Sequence, residues 1–302
     1  MNKKVLITGA TGLIGSELVK QCRLDGIAVN YLTTSKDKIE NTENYKGFYW
    51  NPKKGEIDTK AFEGVNVIIN LAGASISKRW TEKYKKVILE SRLEAIDLLY
   101  NTLLKIEHNV VHFISASGVS IYPNSKTKLY TEEDKDVDNT FLAEVVVAWE
   151  AAASKFKNLG MEVSKVRTGI VLAKDAGALP EMVKPIKLGV GAPIASGEQW
   201  QSWIHIEDIA GIYLFLLKSQ LEGKYNAVAP NPVQNQKMTK MIATKLESPL
   251  WLPNIPDFAM KLLLGNMAVL VIEGQLVSSQ KLEKLGYNFK YYNLETALQD
   301  LL

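Results

Sequence analysis

Apolar and polar positions follow a regular order along the first half of the chain. Five short apolar runs, rich in β-branched residues, predict buried strands at residues 5–8, 28–32, 65–71, 110–115 and 163–167. Three longer segments repeat apolar residues at helical spacing and predict helices at residues 13–24, 83–106 and 139–159. Because strands alternate with helices, the pattern predicts an α/β fold with a doubly wound parallel sheet of the Rossmann type.

The pattern changes after Arg167, where Gly and Pro become frequent between residues 177 and 197. A further helix is predicted at 206–217 and a further strand at 225–229. We therefore expect a dinucleotide-binding domain at residues 1–170, to which 205–229 return. A smaller C-terminal α+β substrate lobe is expected from residues 171–204 and 230–302.

The composition is that of an ordinary soluble globular protein. Apolar residues make up 46% of the chain, charged residues 23%, and the net charge is +3. No dense basic run suggests a nucleic-acid or membrane partner. The chain begins directly with a strand-like run, and its one cysteine, Cys22, reads as a core residue, so we expect a cytoplasmic protein. The three histidines and Cys22 lack metal-ligand spacing, so no metal site is expected.

A glycine-rich turn between the first strand and the first helix is the main chemical signal. In VLITGATGLIG, Gly9 can make a tight turn, Gly12 lets a pyrophosphate approach the backbone, and Gly15 lets the helix lie close to the strand. The helix start offers free N–H groups to phosphates. The expected contacts of a dinucleotide at this turn also include Thr11, Leu13 and Ile14. The alternative is a merely structural glycine-rich turn.

The end of the second strand bears on which nicotinamide nucleotide would bind. An acidic residue here would bind the ribose hydroxyls of NAD, but the chain reads Thr33, Thr34, Ser35 and Lys36. With no carboxylate to repel a 2′-phosphate, and with hydroxyls and a lysine to receive one, NADP (NADPH) is favoured over NAD. The alternative is that Ser35 and Lys36 are ordinary loop residues.

Several motifs in this order resemble the extended short-chain dehydrogenase/reductases. NLAG at residues 70–73, NLAGASISKRWT, AWEAAA, VRTGIVL, GEQWQSWIHIEDIAG and YNAVAPNPV are similar to the atypical, epimerase-like branch, which has its own C-terminal domain. The resemblance implies a cofactor crevice that includes Leu71, Ala72, Gly73 and Arg92. Relatives commonly carry Arg where this chain has Thr34, and Arg92 or Lys36 would compensate. The alternative for Arg92 is a surface charge on a helix.

The resemblance also shows what is missing. The wider superfamily places a proton-transferring Tyr, and four residues later a Lys, at positions that are Leu142 and Val146 here. Neither residue can carry a proton. The resemblance implies that Ser117 orients a substrate oxygen, and Tyr122 is a candidate proton donor. The alternatives are a turn residue at the strand end for Ser117 and a packing ring for Tyr122.

Three further residues are candidates for substrate contact. Arg79 could neutralise an anionic substrate, Trp80 could wall the pocket, and His205 could titrate near neutral pH. A structural role is the alternative for His205.

Two functions remain open. The first is an NADP(H)-binding oxidoreductase or epimerase that acts on a small substrate with a hydroxyl or carbonyl group. The second is a non-catalytic NADP(H)-binding sensor or scaffold protein. The long helices at 83–106 and 139–159 could also pair two copies into a homodimer.

Overall fold

The computed structural model describes residues 3–302, and its first half is built from alternating strands and helices. In chain order these are β1 (Lys4–Thr8), α1 (Leu13–Leu24), β2 (Ala28–Thr33), β3 (Asn41–Thr42), β4 (Tyr45–Asn51), β5 (Glu56–Ile57), β6 (Val67–Asn70), α2 (Glu82–Leu103), β7 (His112–Gly118), β8 (Leu129–Tyr130), α3 (Phe141–Ser154) and β9 (Glu162–Thr168).

The second half has shorter elements. They are β10 (Ile170–Leu172), α4 (Ala178–Lys187), β11 (Trp200–Gln201), β12 (Trp203–His205), α5 (Ile206–Ser219), β13 (Gly223–Ala227), β14 (Val233–Gln234), α6 (Asn235–Lys245), α7 (Asp257–Leu264), α8 (Val269–Ile272), β15 (Leu276–Val277), α9 (Gln280–Lys284) and α10 (Leu294–Leu301).

One large sheet organises the fold. Its parallel strands lie in the order β13-β9-β7-β6-β1-β2-β4, and β3 and β5 pair antiparallel with β4. On one face Ile7 and Ile69 pack in a core with residues of α1 and α5, and on the other Leu6 and Ile68 pack in a core with residues of α2 and α3. The predicted doubly wound Rossmann sheet is therefore confirmed. Chain order reverses between β1 and β6, and such a reversal opens a crevice for ligands at the carboxyl ends of the strands.

The sequence pattern located most elements of this sheet but not β4. Strand β4, YKGFYWN, is only partly buried, so it lacks the continuous apolar run that marked its neighbours. Its Gly47 leaves room for the ring of Tyr31 on β2, since a Cβ there would lie 2.5 Å from the ring. The predicted helix at 139–159 is α-helical only to Ser154 and continues as a 3-10 helix, Lys155–Leu159.

The C-terminal elements have a core of their own. Leu172, Leu179 and Trp203 pack there with residues from α6 and α10, such as Met238 and Leu298. This core draws on both segments that the sequence assigns to a substrate lobe. The division into a dinucleotide domain and a substrate lobe stays a prediction.

A buried ion pair ties α3 to the sheet. Arg167 on β9 donates through Nε and Nη2 to the two carboxylate oxygens of Glu150, at 2.7 and 3.0 Å. Burial pushes the pKa of Glu150 upward, but the hydrogen bonds and charge of Arg167 outweigh burial and lower this pKa. Ser117 on β7 donates to the same carboxylate at 2.7 Å, and Nη1 of Arg167 donates to the Tyr122 hydroxyl at 2.8 Å. The pair therefore fixes the helix beside the ends of β7 and β9.

The variant Glu150→Leu leaves the Arg167 cation buried without its partner. We expect it to lower the free energy of unfolding by about 3–5 kcal/mol, measured by urea denaturation. The double variant Glu150→Leu/Arg167→Met is the control, and it should lose markedly less because no unpaired charge remains. Since the pKa of Glu150 is lowered in the fold, its contribution is complete above about pH 4.3 and lost as the pH falls. Equal losses in both variants would contradict this account.

Candidate functional site

A cavity of about 650 Å³ opens at the carboxyl ends of the central strands. Its floor is the glycine turn after β1, the loop after β6 and the ends of β7 and β9. Helix α3 forms one wall, and residues 269–275 of the C-terminal part close the cavity from above. The cavity is large enough for a small molecule and lies where parallel α/β sheets bind ligands.

The glycine turn is set by very close backbone contacts. Gly9 has φ +71°, and a Cβ there would lie 3.0 Å from the carbonyl group of Leu71. A Cβ on Gly15 would lie 2.1 Å from the Gly9 oxygen, so only glycine fits. Gly12 differs, since it has an ordinary φ of −87° and borders the cavity. Two of the three glycines therefore build the turn, and Gly12 leaves open the space in front of the helix.

The start of α1 suits an anion. The first helical residues, Leu13, Ile14 and Gly15, line the cavity, and their amides precede the first helical hydrogen bond, which Ser16 donates to Gly12. The first turn of α1 carries no acidic residue. An anionic group in the cavity would therefore meet free N–H donors and the positive end of the helix dipole.

Thr8, which the sequence analysis did not single out, holds the neighbouring loop in place. Its hydroxyl donates to Asn70 Oδ1 at 2.7 Å and accepts from the amides of Leu71 and Ala72, each at 3.1 Å. The NLAG segment is thereby held against the glycine turn. A hydroxyl on the last residue of β1, directly before Gly9, was the only sequence signal for this role.

Arg92 lies in the cavity wall. Its Nη1 donates to the backbone oxygens of Ala74 and Ile88, at 3.2 and 2.8 Å, and its guanidinium lies 4.7 Å from the ring centre of Trp149. Burial lowers the pKa of Arg92 to about 10. Among residues 3–302 no carboxylate pairs with this cation, and its buried Nε has no hydrogen-bond partner. A mostly buried cation without a counter-ion fits a site for an anionic group such as a phosphate.

The end of β2 lies at the carboxyl edge of the sheet, beside β1. Thr33 is buried and its hydroxyl accepts from the Ser35 amide at 3.2 Å, whereas Thr34 and Lys36 are exposed. The ammonium of Lys36 lies 5.0 Å from the ring centre of Tyr49. Of these residues, Thr34 and Lys36 therefore have their side chains at the surface. None of the residues 33–36 borders the cavity itself.

Ser117 borders the cavity, together with Leu142 and Val146, the positions of the missing Tyr and Lys. Because the hydroxyl hydrogen of Ser117 is donated to Glu150, its oxygen remains free only to accept a hydrogen bond from a ligand.

Tyr122 does not border the cavity and is fully buried. Its hydroxyl oxygen accepts a hydrogen bond from Arg167. Its hydroxyl hydrogen has two acceptors within reach, Asn226 Oδ1 and the Thr131 oxygen, each at 2.9 Å. Burial raises the pKa of this phenol, although Arg167 opposes the shift. The Tyr122 hydroxyl therefore lies in a buried network outside the cavity lining.

The three predicted substrate residues lie outside the cavity lining. Arg79 is exposed. Trp80 is buried behind the wall, packs with Leu142 and Val145, and donates its ring N–H to the Ile76 oxygen at 2.8 Å. His205 caps α5, where its Nδ1 accepts from the Glu207 amide at 3.1 Å.

Two carboxyl groups that the sequence did not single out, those of Asp138 and Glu273, border the cavity. Asp138 lies just before α3, and Glu273 directly follows α8. Their sequence surroundings match no motif. They come together only because the C-terminal part folds back over α3.

Residues 3–302 contain no group of three or more His, Cys, Asp or Glu side chains placed to hold a metal ion. In the same residues, every helix is too short or too polar to cross a lipid bilayer.

The comparisons with known proteins agree with this architecture. An epimerase family protein of Staphylococcus aureus strain MRSA252 is 36% identical over 303 residues, with 99% of each chain covered. The Arabidopsis thaliana protein named "Epimerase family protein SDR39U1 homolog, chloroplastic" is 38% identical over 99% of this chain and 86% of its own. A crystal structure of human epimerase family protein SDR39U1 with NADPH superposes with a TM-score of 0.86 at 28% identity, covering 99% and 98% of the two chains.

The family models divide the chain in two. The model of the "NAD dependent epimerase/dehydratase family" matches residues 5–228, and a "Domain of unknown function (DUF1731)" matches residues 255–301. The resemblance stated from the sequence motifs is thereby confirmed. This chain belongs to the NAD dependent epimerase/dehydratase family.

Proposed function

We propose that this protein is an NADP(H)-dependent oxidoreductase that acts on a small, mainly apolar substrate with a carbonyl or hydroxyl group. The observation that carries the proposal is the single cavity that joins the glycine turn to an apolar chamber under the C-terminal part. One end of this cavity suits a dinucleotide, and the other has room for a second molecule.

The cofactor half rests on three features of the chain. The free amides of α1, the space in front of Gly12 and the unpaired Arg92 cation all favour an anionic diphosphate. The human relative contains NADPH in its crystal structure, which supports the same class of cofactor here. A bound nicotinamide would exchange a hydride with a carbon atom of the substrate.

NADP is favoured over NAD by the end of β2. The exposed Thr34 and Lys36 offer a hydroxyl and a cation at the place where NAD-specific proteins carry a carboxylate. No carboxylate stands at residues 33–36 to repel a 2′-phosphate.

The walls of the chamber support an apolar substrate. Leu142, Val146, Val269 and Leu270 present apolar groups, and Trp149 adds an aromatic surface. The carboxylate of Asp138 in the chamber would repel an anionic substrate such as a nucleotide sugar. The chamber therefore favours an uncharged apolar aldehyde, ketone or alcohol.

Ser117 is the residue we propose for positioning the reacting oxygen. The Ser117 hydroxyl donates its hydrogen to Glu150, so its oxygen can only accept a hydrogen bond. The donor would be the hydroxyl group of an alcohol substrate, or the carbonyl oxygen of an aldehyde or ketone once that oxygen has gained a proton.

A non-catalytic NADP(H) sensor is the second candidate. Leu142 and Val146 favour it, since the usual proton-transferring pair is absent from α3. Turnover of an uncharged aromatic aldehyde with NADPH separates the two functions.

The variant Gly12→Val tests the cofactor site. A Cβ at Gly12 has only the Gly9 oxygen near it, at 3.2 Å, so the fold should tolerate the change with a small loss of thermal stability. The larger side chain would occupy the space of the diphosphate, and calorimetry should detect no NADPH binding. Ser16→Val, an exposed substitution one turn later, is the matched control and should bind normally. Normal NADPH affinity in Gly12→Val would refute this placement of the cofactor.

The variant Lys36→Ala tests the preference for NADP. Loss of an exposed cation beside a 2′-phosphate should weaken NADPH binding by up to about 1 kcal/mol, or about fivefold in Kd. The Kd for NADH should stay unchanged, and Lys38→Ala, two residues on, should change neither. Equal weakening of both nucleotides in Lys36→Ala would show that Lys36 does not contact a 2′-phosphate.

The variant Ser117→Ala tests substrate positioning. NADPH affinity should be retained, whereas kcat for para-nitrobenzaldehyde should fall about tenfold or more, because the reacting oxygen loses its partner. Activity equal to that of the unchanged protein would remove Ser117 from the site.

A further inference from the structure

We propose that Glu273, from the C-terminal part, is the proton donor and acceptor for the substrate oxygen, in place of the Tyr that α3 lacks. The inference rests on the proposed function and adds the residue that completes its chemistry. Nothing in the family's sequence motifs marks this position.

Few side chains that line the cavity can exchange a proton with a ligand. Its titratable side chains, among the residues described, are Arg92, Asp138 and Glu273. Arg92 retains its proton at neutral pH, because its pKa is still about 10. Only the two carboxyl groups can therefore exchange a proton with a ligand in the cavity.

The carboxyl groups of Asp138 and Glu273 differ in the hydrogen bonds that they accept. Asp138 accepts from the Asn139 amide at 2.8 Å and from the Thr140 hydroxyl at 3.3 Å, directly before α3. These bonds occupy both oxygens of its carboxyl group. In residues 3–302, by contrast, no group donates a hydrogen bond to the carboxyl of Glu273. Glu273 is thus the carboxyl that is free to meet a substrate.

Glu273 follows a helix, α8, that packs against the face of α3 where the Tyr is absent. Val269 and Leu270 of α8 pack in one cluster with Leu142, the position of the absent Tyr, and with Val145 and Trp80. Glu273 directly follows this helix, and its amide donates to the Val269 oxygen at 3.2 Å.

The backbone after Glu273 is fixed. The Gly274 amide donates to Asn124 Oδ1 at 3.0 Å, and the Ser202 hydroxyl donates to the Gln275 oxygen at 2.6 Å. A Cβ on Gly274 would lie 2.1 Å from the Trp200 oxygen, so the two backbones touch. The Glu273 carboxyl therefore enters the cavity from an anchored segment.

The electrostatics agree with this geometry. Burial raises the pKa of Glu273, the negative charge of Asp138 raises it further, and Lys261 on α7 opposes them. Two neighbouring carboxyl groups whose environments differ in this way can serve as a charged and a proton-carrying partner. Because Glu273 is only half-buried, water can restore its proton.

Reduction of an aldehyde consumes one hydride and one proton. The aldehyde carbon gains a hydride, with its two electrons, from the reduced nicotinamide, which is oxidised. The O–H bond of Glu273 breaks, and its proton forms the new O–H bond of the alcohol. The Glu273 carboxylate then takes a proton from water, and in the oxidation direction it accepts the proton of the alcohol.

The first test needs no cofactor. Carbon-13 NMR of the full chain with carboxyl-labelled glutamate identifies Glu273 as the signal missing from Glu273→Gln. Its midpoint should lie above the ordinary glutamate value of about 4.3 and should fall in Asp138→Asn. An ordinary midpoint that Asp138→Asn leaves unchanged would overturn the proposal.

The second test follows turnover of para-nitrobenzaldehyde with NADPH. Glu273→Gln should lower kcat about 100-fold, with KM for the aldehyde within about threefold and NADPH affinity unchanged. In the unchanged protein, reduction should decline as the pH rises through the pKa of Glu273, because only the protonated form donates. Glu273→Gln should lack this decline. The exposed variant Glu133→Gln is the control and should behave as the unchanged protein.

The outcomes separate the two proposals. If the unchanged protein reduces the aldehyde and Glu273→Gln keeps its kcat and pH profile, the role of Glu273 is refuted and the proposed function stands. If the unchanged protein binds NADPH but reduces neither para-nitrobenzaldehyde nor phenanthrenequinone, the proposed oxidoreductase function fails. The role of Glu273 as its proton donor then fails with it, and the NMR titration reports only the coupling of the two carboxyl groups.

Discussion

The architecture depends on the close approach of three backbone segments at the reversal point of the sheet. Gly15 lies against the Gly9 oxygen, and Gly9 lies against the carbonyl of Leu71, at distances that exclude any side chain. The Thr8 hydroxyl joins the same segments through three hydrogen bonds. Because these contacts hold the start of α1 at the carboxyl edge of the sheet, its free amides face the cavity rather than a neighbouring element. Every inference about a bound nucleotide follows from that position.

A second constraint acts on α3. The helix carries Leu142 and Val146 at the positions where the resemblance implies a Tyr and a Lys, and the Glu150–Arg167 pair fixes it beside β7 and β9. A buried pair of this kind resists removal, because either partner alone would be a buried, unpaired charge. The helix therefore survives as an apolar wall, with Leu142 and Val146 bordering the cavity. A proton donor for the cavity therefore has to come from an element other than α3. Helix α8 packs against the wall that α3 forms, so the residues next to α8 are close to the cavity.

The local sequence pattern predicted most helices and strands, but it did not predict which way individual side chains point. The residues of the glycine turn and the helix after it were recognised because backbone geometry restricts their identity locally. Tyr122, Trp80 and His205 looked available in the sequence, but each is buried in contacts with distant residues. A polar residue at a strand end can face a ligand or a buried network, and only long-range packing selects between them. Strand β4 was missed for a different reason: it is only partly buried, so its sequence lacks the continuous apolar run of its neighbours.

The sequence by itself determined the doubly wound sheet, the dinucleotide turn, the absence of the usual Tyr and Lys, and the family. Each of these depends on short-range rules: periodicity, glycine geometry and ordered motifs within a few residues. The tertiary structure decided which side chains share the cavity. Asp138 and Glu273 are far apart along the chain and belong to no motif, so only the folding of α8 onto α3 brings their carboxyl groups to one place. Charge coupling between them is a property of distance in space, which the order of residues does not encode locally.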